Sequence, residues 1–263
     1  MSESEIHERV AAQFGPRAGS YVTSETHSKK SVLDELVDLV RPNPSDLVLD
    51  IATGGGHTAL AFAPHVTHVT ALDLTPSMLD AVEALAEERG ILNVTTVEAR
   101  AEELPFDEAS QFDLVTVRLA PHHFADVPRF LSEVNRVLFS GGRFLLVDTT
   151  VPEDPALDRE INRLELLRDP SHVRNYRPSE WQEMVEAAGF EVEYCSVGLH
   201  AGGAKMELMA WIERINTPME NREELIGAFF NPTPEMVEVM KIERSDDVVT
   251  FTLPELTLLA RKR

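Results

Sequence analysis

With 263 residues, 43% of them hydrophobic and 26% charged, the chain has the composition of a globular protein able to bury a sizeable core. Its 45 acidic against 24 basic residues give a net charge of −21, which repels phosphate backbones and anionic bilayers and so argues against nucleic-acid and membrane partners. The apolar runs fall short of the roughly 20 residues of a membrane helix. The N-terminus lacks the basic and apolar regions of a secretory signal, and one cysteine, Cys195, excludes a disulfide framework and a cysteine-rich metal site. The expected compartment is the cytoplasm.

From residue 28 the pattern alternates helix and strand. Residues 29–40 carry apolar side chains at helical spacing, and Pro42 and Pro44 follow. LVLDIA (47–52) reads as a buried strand, HTALAFAP (57–64) as a helix stopped by Pro64, and HVTALDL (68–74) as a second strand. Thr75 and Pro76 open a helix that Gly90 closes. NVTTVEA (93–99) and FDLVTVRL (112–119) are strands; VPRFLSEVNRVL (127–138) is a helix reaching Gly141-Gly142, before a fifth strand, RFLLVDTT. Apolar strands joined by helices of about 12 residues predict right-handed crossovers and a doubly wound (Rossmann-like), mostly parallel α/β sheet.

After Val151 the rhythm changes. Residues 155–171 and 177–190 read as helices outside the alternation, the second with Ser179 as a candidate cap and with Trp181, Met184 and Val185 on a core-facing stripe. FEVEYCSVG and DVVTFTLPELTLLARK (247–262) are expected to complete a seven-stranded sheet, with helices at 207–216, 221–230 and 233–242 between them. Cys195 falls in the first of these and reads as a buried, inert thiol. The expectation is one domain over 1–263: an N-terminal lid segment (1–27), a cofactor-binding half (28–150), and a remainder whose inserted helices cover the cleft at the carboxyl ends of the strands.

The chemistry concentrates in VLDIATGGG. Asp50 emerges at the carboxyl end of the first strand, and Gly54, Gly55 and Gly56 let the backbone turn sharply and approach a ligand closely. Asp73 ends the second strand 23 residues later, where an acid accepts both hydroxyls of a ribose. The pair implies an adenosine-containing cofactor. A nicotinamide dinucleotide also uses a glycine loop and a ribose-binding acid, but its pyrophosphate is disfavoured beside Asp50; S-adenosylmethionine suits both acids better. A dinucleotide enzyme and a non-catalytic cofactor-binding protein stand as alternatives.

VLDIATGGG, VTALDLTPSML, EARAEELPF, FDLVTVRLAPHHF and GGRFLLVD, in that order, resemble the motifs of class I S-adenosylmethionine-dependent methyltransferases, most nearly the ubiquinone/menaquinone-biosynthesis type of small-molecule methyltransferase. Residues 30–150 carry the likeness strongly; QFGPRAGSYVTSETH and LRDPSHVRNYRPSEWQEMVEAAGF carry it less specifically. The resemblance implies methyl transfer to a small-molecule acceptor, leaving S-adenosylhomocysteine. It places Asp50, Gly54 and Gly56 at the methionine part of the cofactor, Asp73 at the ribose, and Leu74 and Met78 against the adenine. Arg100 and Ala101 take the adenine edge, and Arg118 and Leu119 border the sulfonium. Two residues depart from the pattern. Ala52 replaces the first loop glycine, tolerable only at negative φ, and Arg100 replaces an aspartate and cannot accept a hydrogen bond.

His122 and His123 follow the fourth strand and are candidate proton acceptors. Their place in the resemblance suits support of the loop or cofactor equally well. Tyr21 is a candidate lid residue. His172, Asn175 and Tyr176 are candidates for the acceptor pocket or simply for an exposed loop. Met206, Met209, Trp211, Phe229 and Phe230 either wall that pocket or bury the inserted helices.

Overall fold

The computed structural model describes residues 2–17, 29–107 and 111–263, so that Tyr21 lies outside the described residues. The central strands are β1 (Leu47–Ile51), β2 (His68–Asp73), β3 (Val94–Glu98), β4 (Phe112–Arg118) and β5 (Leu138–Thr149), with β6 (Phe190–Leu199) and β10 (Pro254–Lys262) completing a seven-stranded sheet of order β3-β2-β1-β4-β5-β10-β6. Strands β1 to β5 pair in parallel, whereas β10 runs antiparallel between β5 and β6. The doubly wound, mostly parallel class read from the sequence is the one observed.

Periodicity explains the covering helices. In α5 (Val127–Val137), Val127, Phe130, Leu131, Val134 and Val137 form one buried stripe, each worth roughly 1.5–3 kcal/mol on burial. Asp126 caps its start by accepting from the Arg129 amide at 2.9 Å. The helix does not reach Gly141-Gly142; β5 begins at Leu138, and the glycines lie in an irregular stretch where pairing with β4 skips register. In α7 (Pro178–Ala187), Trp181 and Val185 are buried as the stripe predicts. Ser179 lies inside the first turn rather than capping it, and its hydroxyl donates to Glu153 at 2.7 Å. Cys195, in β6, is a free and only partly buried thiol.

The remaining helices on the sheet are α2 (Lys30–Val40), α3 (His57–Phe62) and α4 (Pro76–Glu88). After β5 comes α6 (Pro155–Arg168) and, after β6, the short β7 (Met206–Glu207), α8 (Leu208–Arg214), α9 (Met219–Phe230), α10 (Pro234–Met240), β8 (Glu243–Ser245) and β9 (Val248–Phe251). Strands β7, β9 and β8 make a small antiparallel sheet in that order. The segment 247–262 thus divides into two strands in two sheets; Pro254, which has no N–H, opens the second. Trp211, Phe229 and Phe251 pack with ring centres 4.7–5.7 Å apart, giving the inserted helices a core of their own.

The N-terminus adds α1 (Glu3–Phe14), opened by a capping box in which Ser2 and Glu5 bond reciprocally. It lies across the carboxyl end of the sheet, with His7 Nε2 3.3 Å from Glu102 and the Phe14 ring edge-on to His123.

Candidate active site

Two cavities adjoin beyond the carboxyl ends of β1, β2 and β4. The first, about 980 Å³ and open on one side, is lined by Ala52 to Gly55, Asp73, Leu74, Met78, Arg100 to Glu102, Arg118 to Ala120, and by His7, Val10 and Phe14 of α1. Nearly every residue assigned to the cofactor by resemblance therefore meets around one space. Gly54 and Gly55 line it directly, and a side chain at Gly54 would project into open volume. Gly56 does not line it. Its φ is +78°, and a Cβ there would lie 2.9 Å from Val82, so it holds α3 close to α4.

Asp50 stands apart. It does not line the cavity: one carboxylate oxygen accepts from the Thr53 hydroxyl at 2.6 Å and the Ala59 amide at 3.2 Å, and the other from the Thr116 hydroxyl at 2.6 Å. Burial pushes its pKa up to about 6 against these bonds. Its observable task is to tie the glycine turn and the start of α3 to β4. Asp73 lines the cavity and fastens the loop as well, accepting from the Gly54 amide and the Thr75 amide, each at 2.9 Å.

The condition set for Ala52 fails, because its φ is +51°. A left-handed alanine costs roughly 1–2 kcal/mol over a glycine-compatible turn. Leu119, which leaves the neighbouring strand β4, also has a positive φ, +55°. Arg100 is exposed, and Ala101 and Glu102 are buried beside it. Glu102 accepts from the Ala125 amide at 2.9 Å and meets His7 with its other oxygen.

The second cavity, about 580 Å³, shares Phe14, Leu119 and His123 with the first. It adds His122, Thr149, Glu165, Arg168, Asp169, Met206, Trp211, Arg214, Ile215 and Leu253. His122 Nδ1 lies 2.6 Å from Asp148 Oδ1. Because a carboxylate only accepts, Nδ1–H donates, which leaves Nε2 to accept a proton. Burial alone would lower the His122 pKa; the Asp148 charge and hydrogen bond outweigh it, with Glu165 and Asp169 adding to the rise. His123 goes the other way, to about 3, because it is buried beside His122. Its Nδ1 lies 3.0 Å from the Ser171 carbonyl. Of the two predicted histidines, His122 alone has the basicity and the partner of a proton acceptor.

The other acceptor-pocket candidates divide. Met206 and Trp211 both line the second cavity and belong to the core of the inserted helices, while Phe229 is wholly core, Phe230 packs against its margin and Met209 is exposed. His172 bonds Asn162 at 3.1 Å and Asn175 accepts from Thr149 at 2.6 Å; neither lines either cavity, nor does Tyr176. Residue-type reasoning missed His7, Phe14, Glu102, Asp148, Glu165 and Arg168. For the first two the signal was present, since Ser2 and Glu5 have the capping-box spacing that opens a helix.

Residues 49–146 match the family described as a methyltransferase domain. Over 252 residues the chain is 34% identical to the methyltransferase YcgJ of Bacillus subtilis, covering 95% of this chain and 98% of YcgJ. The crystal structure of YcgJ superposes with a TM-score of 0.79 over 88% of this chain and 97% of that one. The BH2331 structure from Bacillus halodurans is 38% identical, with a TM-score of 0.82 over 88% and 99% of the two chains. A 36% identical stretch of 115 residues, 44% of this chain, spans 47% of the ubiquinone/menaquinone biosynthesis C-methyltransferase UbiE of Zymomonas mobilis.

Proposed function

The chain belongs to the class I S-adenosylmethionine-dependent methyltransferases, and from that premise we propose that it methylates a small molecule held in the second cavity by a cofactor held in the first. The single observation that carries this reading is the junction of the two cavities at Leu119 and His123. The residues of the first suit the cofactor: a carboxylate for ribose hydroxyls, buried Met78 and half-buried Leu74 for a flat base, and a loop open to backbone approach. The Asp50 carboxylate, tied to Thr53 and Ala59 behind that loop, disfavours the pyrophosphate of a dinucleotide there.

When bound, S-adenosylmethionine supplies a methyl group already activated by its sulfonium. The protein's work is then to position and to exclude water. Asp73 receives the ribose hydroxyls, Asp50 holds the turn behind the loop, and α1 covers the cleft through His7 and Phe14. His122, oriented by Asp148, takes the proton of a hydroxyl or amine acceptor on Nε2. With its acidic surface and lone cysteine, the enzyme is assigned to the cytoplasm.

Titration with S-adenosylhomocysteine tests the cofactor reading. At a hundredfold excess over Kd the ligand adds about 2.7 kcal/mol to stability, a rise in Tm of several degrees. No heat and no shift at millimolar concentration, or a shift with NADH instead, overturns it.

A further inference from the structure

The second cavity holds a buried acid that proton transfer to His122 does not use. Glu165, on α6, is 7% exposed and lines the cavity. Its Oε2 lies 3.6 Å from Arg168, while Oε1 is buried and has no hydrogen-bond partner among the described residues. An oxygen stripped of water and given no donor is costly to keep, so a turn of the carboxylate that brings Oε1 to a donor in the cavity is favoured. Burial raises the Glu165 pKa, with Arg168, His122 and Arg214 pulling it back.

The surrounding charges decide which donor fits. Arg168 stacks over Trp211 with its guanidinium carbon 4.2 Å from the ring centre, and Arg214 lines the same space. With Glu165 and Asp169 against two guanidiniums the lining has no excess of either sign, so a lone cation or anion would lose its hydration with no net charge to offset the cost. A neutral hydroxyl meets neither penalty. Met206, Ile215 and Leu253, with Phe14, Leu119 and Trp211, give part of the wall an apolar surface.

We infer that Glu165 is a specificity-determining residue, selecting neutral acceptors that offer a hydroxyl donor to Oε1 from a compact apolar body. This rests on the assignment of the adjoining cavity to the cofactor. Acceptors in which that hydroxyl is absent or capped leave Oε1 unpaired and are discriminated against, in the manner of sites that reject analogues lacking one hydrogen bond.

The test uses the full-length protein saturated with S-adenosylhomocysteine and four one-ring probes at pH 7: phenol, anisole, benzoate and benzylammonium. Ligand-observed NMR titration is expected to rank phenol at least about fivefold tighter than anisole, with both charged probes weaker still. Glu165→Leu is expected to bring phenol and anisole to parity, and Glu165→Gln to reduce the preference to about twofold, with S-adenosylhomocysteine affinity unchanged in both. The glutamine variant, matched in shape, carries the comparison if the leucine variant does not fold. Equal binding of phenol and anisole by the unaltered protein, a preference that survives both substitutions, or tightest binding by either charged probe overturns the inference. Failure of S-adenosylhomocysteine to bind at all instead overturns the cofactor assignment beneath it.

Discussion

The two cavities that meet at Leu119 and His123 are made of different material. The first is largely turned backbone: a glycine loop after β1, a left-handed residue after β4, and Asp73 fastened to the loop through the Gly54 amide. The second is a collection of titratable side chains from well-separated segments, His122 after β4, Glu165 and Arg168 on α6, and Arg214 on α8. Sheet register fixes the one; helices with their own aromatic core fix the other. Apart from the shared Phe14, Leu119 and His123, the walls of the second cavity come from residues outside the first, an arrangement that suits one scaffold to many substrates.

Substitutions on either side of the boundary sharpen this contrast. His122→Ala is expected to lower kcat by about a thousandfold for any hydroxyl acceptor turned over, with S-adenosylhomocysteine affinity unchanged. The pH profile supplies the sign. A proton acceptor works in its neutral form, and the His122 pKa is raised by Asp148, so the rate should climb with pH through a midpoint above 6.5. Asp148→Asn removes the charge that raises it and should move the midpoint down; a midpoint that stays in place denies Asp148 its positioning role. Asp73→Ala strikes the first cavity, taking the acceptor from two loop amides and from the ribose. It should weaken S-adenosylhomocysteine about a hundredfold by calorimetry, and unchanged affinity would put the ribose elsewhere.

Two smaller effects concern the backbone alone. Gly56→Ala meets both a positive φ and Val82 at 2.9 Å, and should cost about 2 kcal/mol in urea unfolding. Ala52→Gly should do the reverse, gaining up to about 1 kcal/mol, a Tm increase of a few degrees, by relieving the left-handed alanine. A loss of stability at this position would mean that the alanine methyl packs better than its turn is strained.

The sheet and the first cavity were legible because their determinants are local. Asp50, Gly54, Asp73 and Met78 each lie within a few residues of a strand end that periodicity marks, and the motif order does the rest. What local pattern cannot give is the direction a side chain takes. Asp50 reads as a ligand from its position and is instead enclosed by Thr53, Ala59 and Thr116. Ala52 departs visibly from the glycine pattern, but the sequence supplies only the condition of a negative φ and not the +51° that the turn between β1 and α3 imposes. The second cavity was opaque for a different reason. Glu165 lies 43 residues from His122 along the chain by numbering and 49 from Arg214, and only the packing of α6 and α8 brings them to one wall. On an acidic chain, one more glutamate carries no signal.

The two histidines side by side differ in charge although they share a chain segment. Asp148 provides His122 with a counter-ion, while burial beside His122 pushes His123 down, so that a proton taken up by the pair sits on His122. Its imidazole neighbours, His123 at 4.2 Å and His172 at 5.7 Å between ring centres, are both held below their usual basicity by burial.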